Sequence, residues 1–303
     1  MSVAQVEAVT ESATAEDAPG GLTRDALRRM RRNPTAIVGL VLITLFVLVA
    51  VFAPLIAPYD PKFQRLDLIR PGQVPGPSSE FLLGLDALGR DEFSRIVYGA
   101  RYSLLIGVVS LTLGAAGGLL LGLIAGAFGG WVDSVIMRLV DIMLSIPGLL
   151  LAIGVAALLG PRLLSVMIAI AAVNVPVFAR LLRGSMLAQR RSDYALAARS
   201  LGVTRGRVVL RHVFPNSLAP VIVQGTLALA TAIVEAAGLA YLGLGSSDPG
   251  IPEWGRLLAD TQNSLSTTPL LALWPGLAIV ASVLGFYLLG EALREALDPK
   301  LRR

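Results

Sequence analysis

Residues 36–57 read AIVGLVLITLFVLVAVFAPLIA, a run without a single charge. A helix rises about 1.5 Å per residue, so about 20 apolar residues cross the ~30 Å hydrocarbon core of a bilayer. The run therefore reads as a membrane-spanning helix. Working outward, Tyr102–Val132 is also uncharged, and further apolar runs follow it. Spans are expected at about 36–57, 102–128, 134–159, 163–182, 216–241 and 269–290, the third and fourth separated by the short Gly160-Pro161-Arg162 turn. These runs are too long and too continuously apolar for barrel strands, which alternate every second residue. The expected fold class is all-α, a polytopic membrane protein with six transmembrane helices.

Composition agrees. The 303 residues are 54% hydrophobic and 16% charged, with a mean hydropathy of +0.70. A soluble chain carries about 25% charged residues. With no cysteine, disulfides, thiolate metal sites and cysteine nucleophiles are excluded. With one histidine, His212, multi-histidine metal sites and histidine relays are excluded as well. Residues 1–23 are polar and rich in Ala, Glu and Ser, without the apolar core of a signal peptide. They read as a disordered cytoplasmic tail.

The net charge of +5 fits either nucleic acid or an anionic membrane face, and its distribution decides for the membrane. Cytoplasmic loops hold the Lys/Arg excess of a polytopic protein. Of 26 basic residues, 17 fall before span one, between spans four and five, or after span six. The opposite loop, Pro58–Arg101, has six basic and six acidic residues. Both termini are expected to be cytoplasmic, and no nucleic-acid partner is expected.

The loop 190–216 is the most informative polar segment, and from Asp193 it reads DYALAARSLGVTRGRVVLRHVFPN. Ser192 or Asp193 offers an N-cap, Tyr194–Leu201 a short helix, and Gly202 a C-cap glycine. Val203–Val213 reads as a second helix with arginines on one face, ending before Pro215. Such a helix–turn–helix unit with a small Ala-rich surface suits docking into a partner's cleft. An ordinary positively charged helical loop is the alternative.

Ala197-Ala198, Gly202 and Arg211-His212-Val213-Phe214-Pro215-Asn216 resemble the EAA loop of ABC importer permeases, with Leu196 at the position of the motif's glutamate. FLLGLDALGRDEFSRIVYGAR at 81–101 is similar to the segment before span two in dipeptide/oligopeptide permeases of the C type. Arg31-Arg32-Asn33-Pro34, Gly129-Gly130-Trp131-Val132-Asp133, Leu242-Gly243-Leu244-Gly245, Trp254-Gly255 and Leu297-Asp298-Pro299 extend the likeness over residues 24–303. The resemblance implies a type I importer permease fold in the bacterial inner membrane. It implies a second homologous permease subunit, two ABC ATPase subunits that hold the ATP and Mg, and an extracytoplasmic peptide-binding protein. Under it, Tyr194, Leu196, Ala197, Ala198, Gly202, Arg211, His212 and Pro215 form the ATPase-coupling surface. The chain itself would carry no cofactor, metal or catalytic residue. Nickel chelates or another small solute are alternative cargoes.

Arg138, Asp141 and Glu235 are charged residues inside spans. Arg138 and Asp141 lie three apart on one helix face. They read either as lining of a translocation pathway or, preferably, as a self-neutralising pair that fixes packing. Glu235 has no basic neighbour in sequence, so it lines a cavity or lies near the outer interface. Gly114, Gly118, Gly122, Gly126 and Gly130 recur every four residues, a side-chain-free ridge for close helix approach. Pro147 and Pro176 are expected to kink their spans.

The lysines, Lys62 and Lys300, follow no glycine-rich phosphate loop, so energy must come from another polypeptide. A hydrolase triad would have to use His212 in the arginine-rich loop. An ion channel or ion-coupled secondary transporter would show inverted repeats, and none stands out. A non-transporting scaffold is disfavoured by the structured loop and by Glu235.

Overall fold

The computed structural model describes residues 28–69 and 74–297. The expected tail at 1–23 and residues 298–303 lie outside them. The described residues are helical throughout their regular structure, with one isolated bridge between Leu85 and Asp91.

Helix α1 (Pro34–Val51) starts where Asn33 accepts a hydrogen bond from the Thr35 amide at 2.9 Å, with Pro34 in the first turn. A short α2 (Ala53–Ile56) follows. Helix α3 runs from Glu92 to Phe128, beginning ten residues before the expected span. Asp91 caps it by accepting from Ser94 N at 2.8 Å. At its far end Gly129 (φ 69°) and Gly130 (φ 57°) turn the chain into α4, Gly130–Ser145.

The expected span 134–159 is not one helix. It is α4 followed by α5 (Gly148–Leu159), bent by 93° at the break. Pro147 lacks the N–H that would continue the ladder, and it pushes Ile146 into an extended conformation (φ −89°, ψ 128°). Pro176, by contrast, lies inside α6 (Leu163–Gln189) without interrupting it. Among the described residues five helices are each long and apolar enough to cross a membrane, six spans if the bent pair counts as one.

The glycine ridge explains why α6 stays whole. A Cβ on Gly114 would come within 3.0 Å of Ala171 O. On Gly118 it would lie 2.5 Å from both Val175 O and Phe178 Cβ, and on Gly122 2.6 Å from Ala179 O. Successive turns of α6 thus press their backbone directly against α3, holding both sides of Pro176 in register. Gly130 is not part of this ridge; it serves the turn into α4, and a Cβ there would meet nothing within 4 Å.

Helices α7 (Asp193–Ser200), α8 (Arg205–Val208), a π-helical turn (Val209–Val213) and α9 (Phe214–Asn216) follow α6. The second helix of this unit continues past the expected stop before Pro215. Pro215 has no N–H to give and its ring would crowd the carbonyl four residues back. The widened turn accommodates it, with Phe214 N donating to Val209 O. Helix α10 (Ala219–Tyr241), the short α11 (Trp254–Asp260) and α12 (Leu270–Leu297) complete the chain. Asn33 Nδ2 donates to Glu295 at 3.0 Å, so the start of α1 and the end of α12 meet at the arginine-rich end of the bundle.

Candidate functional site

At the arginine-rich end, α7 to α9 are seated on the bundle. Ala195, Val208, Val209 and Val213 are buried against Phe178, Leu182 and Met186 of α6. The arginines do more than bias orientation. Arg190 Nη1 donates to Gly126 O at 2.8 Å, and Arg205 Nη2 donates to Ala127 O at 3.1 Å and Phe128 O at 2.9 Å. The last carbonyls of α3 are thereby satisfied by cations at the negative end of its dipole. Tyr194 donates to Gln189 Oε1 at 2.6 Å and Arg199 to Arg190 O at 3.2 Å, tying α7 to the end of α6. Ser192 occupies the N-cap position of α7, yet its hydroxyl donates back to Gln189 O rather than accepting from the helix.

Gly202 adopts φ 79°, with Val203 N donating to Ala198 O at 3.1 Å and Gly202 N to Arg199 O at 2.9 Å. That pairing is the Schellman end of a helix, and it favours a residue without Cβ. The face of α7 left outward carries Tyr194, Leu196, Ala197 and Leu201, the last 84% exposed. Of the expected alanines, Ala197 is exposed and Ala198 half-buried, while Ala195 packs inward. Arg211 and Pro215 are exposed and His212 half-buried, on the far side of the turn from α7.

The charged residues inside the bundle pair differently from expectation. Asp141 pairs with Arg180 of α6, not with Arg138. Asp133 receives Arg183 through two bonds of 2.9 and 2.6 Å. Arg138 is exposed, with no hydrogen bond or ion pair among the described residues. A spacing of three put Arg138 and Asp141 on one face, but a neighbouring helix offered the better partner. Glu235, on α10, is half-buried with Oε2 enclosed and unbonded.

The opposite end holds a charge cluster, part of it in the 81–101 segment of the electrically balanced loop. Asp86 accepts from the Leu88 and Arg90 amides at 2.9 Å each, closing a turn around Gly89 (φ 73°). Its other oxygen receives Arg90 Nε at 2.6 Å and lies 3.4 Å from Arg95 Nε. Asp260, at the end of α11, stands 3.4 Å from Arg90, 3.6 Å from Arg95 and 3.5 Å from Arg256. Arg90 also donates to Pro249 O at 2.7 Å. One carboxylate thus joins the segment before α3 to the segment between α10 and α12. Trp254 completes the seat of α11: its indole donates to Ile96 O at 2.9 Å, and Gly99 leaves room for its ring. Motif spacing at 84–95 marked these residues, but only the fold showed that Asp260 and Arg256 belong with them.

Glu253 lies just before α11 and is buried. Burial pushes its carboxyl up to about 7, with the Ser246 backbone and Arg256 offsetting only part of the cost. Neither oxygen meets a donor at ordinary hydrogen-bond geometry. A raised folded-state pKa means the neutral form is favoured on folding. Its stabilising effect is full below the unfolded value near 4.5 and is lost as pH rises to about 7. Glu253→Gln should therefore flatten the fall of thermal stability between pH 5 and 8. It should gain up to about 3 kcal/mol at the upper end. Parallel melting curves for both proteins across that range would refute the assignment.

Residues 118–303 match the family model described as binding-protein-dependent transport system inner membrane component. Residues 21–73 match the N-terminal TM domain of oligopeptide transport permease C. The chain belongs to the binding-protein-dependent ABC importer permease family. A dipeptide transport system permease protein of Alkalihalophilus pseudofirmus is 46% identical over 92% of this chain and 90% of its own length. A di/tripeptide transport system permease protein of Pseudomonas aeruginosa is 45% identical over 89% of each. A glutathione transport system permease protein of Pectobacterium atrosepticum is 40% identical over 92% and 91%. The fold is also that of a chain of a methionine ABC transporter in an inward-facing form. There the TM-score is 0.53 at 19% identity, covering 67% of this chain and 96% of that one.

This permease is thus a multi-pass membrane subunit without catalytic chemistry of its own, acting beside partner permease and ATPase components. The outward leucines Leu196 and Leu201 are the signal that motif spacing could not supply. They became visible only once α7 had its inner face assigned.

Proposed function

We propose that this permease imports dipeptides and other short peptides, enclosing half of a pathway with a second permease subunit. Both termini face the cytoplasm, and a peptide-binding protein delivers cargo to the Asp86–Asp260 end. ATP and Mg belong to two ATPase subunits, which receive α7 through Tyr194, Leu196, Ala197 and the Gly202 turn. Arg211, His212 and Pro215, on the second arm of that unit, complete the coupling surface. The substrate reading is supported by the end-to-end likeness to dipeptide, di/tripeptide and glutathione permeases.

The observation that carries the coupling role is the geometry of α7. Its apolar outer face is water-exposed, yet the unit is locked to α3 by Arg190 and Arg205 and to α6 by buried valines. A rigid arm with an uncovered apolar tip can pass a displacement of an attached subunit directly into α3 and α6. A tether could not.

Leu201→Asp removes apolar contact at a position that supports no internal packing. It should leave the thermal stability of the purified permease within about 0.5 kcal/mol. In proteoliposomes holding the assembled importer, peptide uptake should fall more than tenfold, along with co-purification of the ATPase. Gly202→Trp should do the same through bulk at the turn, at a further backbone cost of about 1–2 kcal/mol. Unaltered uptake by both variants would overturn the docking assignment.

A further inference from the structure

Helix α4 carries Ser134, Arg138, Asp141 and Ser145 at spacings of four, three and four, and all four side chains are exposed. These intervals place them in one stripe along the helix. The stripe falls within the expected span 134–159. Arg138 lies eight residues from the start of α4, about 12 Å along its axis, and Arg180 nine residues from the end of α6, about 13 Å. Arg138 lies four residues and Asp141 seven residues inside the expected span 134–159. Charges inside a span face protein or a water-filled path rather than lipid.

Within the stripe the charges are not equivalent. Asp141 is neutralised by Arg180, although both side chains remain more than half exposed. Arg183 is held by Asp133. Arg138 alone presents a guanidinium with no counter-ion among the described residues. Beyond it, α4 ends at the 93° break. There Ser145 Oγ donates to Ile142 O, while the Leu144 and Ser145 carbonyls accept no bond among the described residues. From Arg138 to the break, the exposed stripe thus runs from a free cation to the partially negative end of a helix.

We propose that Arg138 receives the α-carboxylate of the transported peptide as it passes along the pathway. This rests on the peptide-importer reading above and adds the group that recognises the cargo. Dipeptides, tripeptides and glutathione differ in side chains but share a terminal carboxylate, so a site reading only that group serves all of them. A guanidinium suits the task because its planar fork bonds a carboxylate through two parallel N–H donors. Asp141, being already paired, keeps the surrounding stripe from holding the anion too tightly and leaves a single cation for each passage.

The test uses the complete importer in proteoliposomes with saturating binding protein. Uptake of labelled dialanine is compared with uptake of its C-terminal amide. The affinity of the isolated binding protein for each ligand is measured separately, so that its own preference is divided out. The remaining acid-to-amide preference should be about tenfold or more in the wild type. It should vanish in Arg138→Gln and be partly restored in Arg138→Lys. An equal residual preference in the wild type and Arg138→Gln, with normal wild-type dialanine uptake, would overturn the role of Arg138 alone. Loss of the partner permease from purified Arg138→Gln complexes would also overturn it, showing that Arg138 pairs with that subunit. A wild-type importer that takes up no peptide would overturn the substrate reading and this assignment together.

Discussion

Gly118→Val should prevent the bundle from forming. A Cβ at this position would lie 2.5 Å from Val175 O and 2.5 Å from Phe178 Cβ, and 3.0 Å from Ala179 N. Two of these three atoms are backbone, so no rotamer change relieves the contact. The helices α3 and α6 would have to separate along their whole ridge, because Gly114 and Gly122 also leave less than 3.0 Å for a Cβ against α6 on either side. Overpacking of a close interface costs about 1–3 kcal/mol, and more when backbone must shift. Here at least about 3 kcal/mol is expected, from contacts on two adjacent turns of α6. The detergent-purified variant should melt far below the wild type or run as aggregate on size exclusion. Gly154→Ala is the matched control, because a Cβ there meets nothing within 4 Å. Equal melting temperatures for Gly118→Val and the wild type would refute the ridge.

Asp260→Ala should be the next most damaging single change. It removes the carboxylate shared by Arg90, Arg95 and Arg256, and the Arg95 side chain has no exposure at all. Removing one partner of a buried charge set leaves an uncompensated ion, at a cost of about 3–5 kcal/mol. Asp86 remains 3.4 Å from Arg95 and bonds Arg90 at 2.6 Å, so the lower end of that range applies. The loss should appear as a lower melting temperature and as early exposure of residues 84–95 and 254–260 to hydrogen exchange, while the α7–α9 end stays protected. Arg95→Met in the same chain should recover much of the loss, since the stranded cation is then gone. If Asp260→Ala melts with the wild type, the cluster does not join these segments.

The two ends of the molecule were unequally legible in sequence. Around Gly202 the local signals were sufficient for the first helix and its glycine cap, but not for the stop expected before Pro215, which the π-helical turn carries the chain through. The spacing also led to the Asp86–Arg95 motif, whose Gly84 and Gly89 take positive φ and whose Asp91 caps α3. It did not reveal Asp260, which is 165 positions from Arg95 and carries no local mark. Arg138 and Asp141 show the converse error. Their spacing was read correctly, but Arg180, 39 positions beyond Asp141, is the residue that pairs with it.

Prolines show the limit most plainly. Pro147 and Pro176 carry the same local instruction, a missing donor and a crowded carbonyl. One breaks its span by 93° and the other does not. The difference lies in what each helix packs against: α6 is pressed backbone-to-backbone on the glycine ridge of α3 on both sides of Pro176, whereas the chain at Ile146–Pro147 is exposed.

The run at 36–57, its apolar counterparts and the motif loop by themselves determined the membrane frame, the helical class and the permease family. Hydrophobicity over about 20 residues and the chemistry of caps and turns are local properties, and no partner is needed to express them. Tertiary structure alone decided which charges pair, which leucines of α7 face outward, and which proline becomes a break. Each of those is a choice among neighbours brought together from distant positions, and only packing ranks them.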